Sequence, residues 1–91
     1  MDCGSAWREV AGRIDELYRR AVGIQSQAAL AGDVRVFARA GDVVDELLLL
    51  RGDLEQWEDG ECFDPMEFHS RLRRLERQLA AIEARLGQPG G

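Results

Sequence analysis

The chain has 91 residues, 45% hydrophobic and 32% charged, with a formal net charge of −5. That length suits one domain whose core is near the lower limit for independent stability, and the composition reads as globular rather than disordered. The sequence pI of about 4.8 and the lack of a sustained basic patch argue against nucleic-acid binding. Lys, Thr and Asn are absent, so all 12 basic residues are Arg. Losing Thr and Asn removes a strand former and a turn former, while Arg, Ala, Leu and Glu favour helix.

The first element is predicted over 5–30, with Ser5 as N-cap. Its apolar residues alternate three- and four-residue steps through Trp7, Val10, Ile14, Leu17, Ala21, Ile24 and Ala28. A repeat of about 3.5 residues is the seam of a helix packed lengthwise on another. Ala11, Tyr18 and Val22 widen this face. Gly32 and Asp33 then supply a left-handed C-terminal residue and the next N-cap.

The second helix is predicted over 34–57, with its seam at Val36, Ala40, Val43, Leu47, Leu50, Leu54 and Trp57. Gly41 and Gly52 each cost about 1 kcal/mol inside a helix. The seam nevertheless passes both without a phase shift, so the helix is expected to be continuous, with any bend at Gly41. Phe37, Val44 and Leu48 broaden its apolar face enough to touch two neighbours, which predicts that this helix is the hub.

After a loop, Asp64-Pro65 marks the start of a third helix over 65–86: an N-cap, then Pro at the first turn, with Glu67 at the capping-box position. Its seam runs Phe68, Leu72, Leu75, Leu79, Ile82 and Leu86 with no second apolar row. Residues 87–91 are expected to fray as a Gly/Pro tail.

Short connections force antiparallel neighbours, so the expected fold is a single all-α domain over 1–91, an up-down-up three-helix bundle with heptad packing. Residues 42–67 carry a net charge of −9 and residues 68–86 carry +3, a pattern of internal complementarity in a hairpin. Arg71, Arg74 and Arg77 are expected to run beside Asp45, Glu46 and Asp53. Trp7, Trp57, Phe63 and Phe68 are expected to plug one end of the bundle.

Few residues suggest chemistry. Cys3, Cys62 and His69 would gather at one end with Glu61 and Asp64, but the paired short spacings of a zinc site are missing, so no metal and no cofactor are expected. Oxidation of Cys3 with Cys62 remains an alternative, as a thiol redox sensor. Arg51-Gly52-Asp53 matches an adhesion tripeptide, yet it falls inside a predicted helix. Leu17-Tyr18-Arg19 resembles the signature of the LYR family of small three-helix mitochondrial assembly factors. That family is basic and Lys-rich, whereas this chain is acidic and Lys-free. The length and three-helix plan also resemble the all-helical chorismate mutases, with Arg8, Arg13 and Gln78 the residue types that a dianion site would imply. The lysine such a site uses has no counterpart here.

The expected function is therefore non-catalytic: a protein–protein interaction module, such as an adaptor, assembly subunit or chaperone-like factor. It would pack amphipathic helices against its own copy, as a dimer, or against a partner protein. The expected contact residues are Leu72, Leu75, Leu79, Ile82 and Leu86, flanked by Arg71 and Arg85. Met1 to Ser5 show no secretory pattern, and the run Leu47 to Leu50 is far too short to span a membrane. A cytoplasmic protein with no membrane or nucleic-acid partner is the expectation.

Overall fold

The computed structural model describes residues 3–57 and 64–86, with side chains from Ser5 onward. Three helices make up the described chain: α1 (Cys3–Ala31), α2 (Val34–Glu55) and α3 (Met66–Leu86). They pack against one another as an all-α three-helix bundle with extents of 52 × 17 × 14 Å. Ser5 lies inside α1, two residues past its start, so it is not the N-cap expected of it.

The α1–α2 connection follows local chemistry. Gly32 adopts φ +71°, which a glycine reaches without a Cβ clash, and ends α1. Asp33 then caps α2, its side chain accepting a hydrogen bond from the Val36 amide at 3.1 Å. Replacing Asp33 by Ala removes that acceptor and is expected to cost about 1 kcal/mol, a Tm loss of about 4–8 °C in thermal denaturation. A loss below about 1 °C would show that Gly32 alone sets the turn.

α2 runs unbroken through Gly41 and Gly52 and ends at Glu55, with Gln56 as its C-cap, two residues before the predicted end. Trp7 helps to set that end: its indole Nε1 donates to the carbonyls of Leu54 at 3.2 Å and Trp57 at 3.0 Å. The Leu54 carbonyl also accepts from the Trp57 amide at 3.0 Å, so a turn bond and a donor from α1 together satisfy the helix end. Asp64 caps α3 by accepting from the Met66 amide at 3.0 Å.

The seams form the core. Val10, Ile14, Leu17, Ala21, Ile24 and Ala28 of α1 are buried with Val36, Ala40, Val43, Leu47, Leu50 and Leu54 of α2, and with Leu72, Leu75, Leu79 and Ile82 of α3. Trp7, Phe68 and Leu86 pack at its edges. No polar or charged residue is buried among the described residues.

α2 is not the hub its width predicted. α1 and α2 share the most extensive interface, and α3 lies equally against both. The reason is α3 itself: a single narrow seam fits the groove of a helix pair and contacts both members at once.

Candidate functional site

Ion pairs along the edges of α3 orient it. On one edge, Arg13 reaches Glu76 at 2.7 Å and Arg20 reaches Glu83 at 3.1 Å, so α1 and α3 run parallel in register. On the other edge, Arg71 meets Asp53 of α2 at 3.4 Å. Each pair is partly solvent-exposed and contributes a few tenths of a kcal/mol, so its main effect is to select the register. Arg74 and Arg77, expected beside the α2 carboxylates, form no ion pair among the described residues. The seam at Leu72, Leu75 and Leu79 turns both toward solvent.

The sequence-predicted contact residues fall mostly inside the chain. Leu72, Leu75, Leu79 and Ile82 are at most 6% exposed. Leu86 packs on the core edge, Arg71 pairs with Asp53, and Arg85 is exposed beside a groove between α2 and α3. That groove, about 590 Å³ and open to solvent, is lined by Arg39, Asp42, Glu46, Gln78, Ala81 and Arg85 among others. Arg13 and Gln78, two of the three residues suggested by the chorismate mutase resemblance, sit on opposite edges of α3. Arg13 is engaged by Glu76 on the α1 edge, while Gln78 lines the α2 edge. They do not converge.

His69 is half-buried, and no group of three or more His, Cys, Asp or Glu among the described residues could hold a metal ion. Cys62, Glu61 and Phe63 lie outside the described residues, as does the Cys3 side chain. None of the described helices is long and apolar enough to cross a membrane.

A different surface stands out. α3 occupies one side of the α1–α2 pair, and the opposite side carries the residues that broadened those two helices. Two contacts locate it. Asp15 of α1 meets Arg51 of α2 at 3.4 Å, and a Cβ at Gly41 would lie 3.1 Å from the Gln25 Nε2. Asp15 and Gln25 are two and five residues past Arg13 and Arg20, on the other flank of the α1 seam from the α3 ion pairs.

The same flank carries Tyr18 and Val22, four residues apart, between Asp15 and Gln25. On α2 it carries Phe37, Val44 and Leu48, between the turn and Arg51. Tyr18, Val22, Phe37 and Leu48 are 38%, 36%, 43% and 53% exposed, and Val44 is half-buried against the core. Four- and three-residue steps from Phe37 through Gly41, Val44 and Leu48 to Arg51 make this a second seam on α2. Gly41 adds no side chain there and leaves a dip filled by the end of Gln25. At the far end Arg51 stacks over the Trp7 ring, 5.9 Å from its centroid.

The arrangement is a two-helix apolar strip with one charged end. The sequence held its signal as a second apolar row, but that row was assigned to contacts within the bundle. Compared with known proteins, the chain matches no protein-family model, no curated protein and no solved structure.

Proposed function

We propose that this protein is a non-catalytic interaction module that works by burying the α1–α2 face opposite α3 against another helical surface. The observation that carries the reading is the strip of Tyr18, Val22, Phe37 and Leu48, left exposed around a half-buried Val44 after all three principal seams are buried. An apolar row at helical spacing on a helix pair gains about 25 cal/mol for each Å² of apolar surface covered, and a docked helix covers it with little cost in polar desolvation. The role that fits is an adaptor, assembly subunit or chaperone-like factor.

Val22→Glu combined with Leu48→Glu tests it. Both positions already face solvent, so the fold is expected to survive, with far-ultraviolet circular dichroism unchanged and the Tm within about 4 °C of the parent's. Affinity capture from the native cell, with mass measurement of the intact complex, is expected to recover a complex with the parent chain and none with the variant. Recovery of the same complex by both would place the contact elsewhere and overturn the assignment.

A further inference from the structure

We infer that the occupant of the α1–α2 face is a second copy of this chain, related to the first by a two-fold axis parallel to the helices. This rests on the reading of that face as an interaction surface, and the rim charges select the occupant. The pairs Asp15–Arg51 and Gln25–Gly41 each have residue numbers summing to 66, which gives the level at which α1 and α2 stand side by side. Arg19 and Asp45 therefore lie within one turn of each other's level. Arg19 follows Tyr18 on the outer rim of α1, and Asp45 follows Val44 on the outer rim of α2. Both are exposed, and neither takes part in an ion pair within the described chain.

A two-fold axis parallel to the helices keeps every level and exchanges the helices, so α1 faces α2 of the second copy. Arg19 then approaches Asp45 of the partner subunit, and the symmetry makes the same pair a second time. Tyr18 and Val22 cover the second copy's Val44 and Leu48, apolar on apolar. The Asp15–Arg51 pairs of the two chains come together as a ring of alternating charge. The alternative axis, perpendicular to the helices, sets α1 on α1 and brings the two Arg19 side chains toward one another. Charge thus chooses both the occupant and its orientation. A face two helices wide and as long as α2 offers about 600 Å² per chain, or about 1,200 Å² in total, the lower end of the range for stable complexes.

Sedimentation equilibrium of the purified chain, from about 1 to about 100 µM, is the test, a range that brackets a micromolar dissociation constant. The parent is expected to reach twice the 10.2 kDa chain mass. Arg19→Asp and Asp45→Arg should each weaken self-association about tenfold or more, because each homodimer then sets like charges against one another. An equimolar mixture of the two variants should associate as tightly as the parent, since every rim pair is again opposite in sign.

A parent that stays monomeric overturns the second-copy assignment, and a dimer that neither variant weakens overturns the parallel two-fold orientation. A mixture that stays monomeric overturns its orientation. A monomeric parent whose cellular complex is still abolished by Val22→Glu with Leu48→Glu removes only the second copy and leaves the face as an interaction surface. A dimer untouched by that double change removes both readings.

Discussion

Leu79→Glu combined with Ile82→Glu is expected to abolish folding: circular dichroism at 25 °C should show little helix, and heating should give no cooperative transition. Leu79 is 0% exposed and Ile82 6%, and no polar or charged residue is buried among the described residues. A carboxylate there has no donor to meet it, so each substitution costs several kcal/mol in desolvation besides the lost packing. A domain of this size has only about 5–10 kcal/mol of stability to lose. Helicity would go with it, because isolated helices of about 20 residues depend on tertiary packing for most of their stability in water. The contrast with Val22→Glu and Leu48→Glu is the informative part. Two glutamates on one apolar row unfold the chain and two on the other leave it intact. A variant at 79 and 82 with native helicity and a cooperative melt would mean that the α3 seam faces away from the bundle.

Leu47→Ala is expected to lower stability by about 2–5 kcal/mol, while Leu48→Ala, one residue on, should cost less than about 1 kcal/mol. The comparison uses one residue type, one helix and adjacent positions. Leu47 is 0% exposed at the middle of the α2 seam, and Leu48 is 53% exposed. Truncating Leu47 removes buried methyl groups and leaves a cavity between α1 and α3 that a rod only 14–17 Å thick cannot close by sliding its helices. Truncating Leu48 removes surface that water already touches. Chemical denaturation in dilute protein, where association contributes nothing, reads both values directly. A larger loss at Leu48 than at Leu47 would show that the α2 seam is shifted by one residue.

The helices themselves were legible from residue spacing. The α1 and α2 seams follow from steps of three and four, and the seam residues from Val10 to Ala28 and from Val36 to Leu54 are all buried, with Ala11 of the widened face beside them. The first turn was legible too, because Gly32 and Asp33 act through backbone conformation and a local cap, which need no distant partner. The ends were less so. Ser5 looks like a cap, yet α1 starts at Cys3, and Trp57 continues the seam on paper while α2 stops at Glu55. The Leu54 carbonyl near that end also accepts from the Trp7 indole, 47 positions away in the chain. A cap supplied from that distance leaves no local mark.

The electrostatic register was hidden for a related reason. The negative middle and positive third helix suggested pairing between α2 and α3, and Arg71–Asp53 does pair. The shorter contacts, Arg13–Glu76 and Arg20–Glu83, join α1 to α3 instead. Net charge along a segment says which segments attract. It cannot say which flank of a helix meets which neighbour until the third helix is seated.

Sequence alone therefore determined three amphipathic helices, their principal seams and the turn between the first two, because hydrophobic periodicity and local caps depend on residues within a few positions. Only the tertiary structure decided what each apolar row packs against. A row at helical spacing must leave water, but its spacing is the same whether its partner is a neighbour in the chain or another molecule. Seating α3 in the α1–α2 groove buried the Leu72–Ile82 seam that the pattern offered to a partner. The same placement left Tyr18, Val22, Phe37, Val44 and Leu48 on the open side.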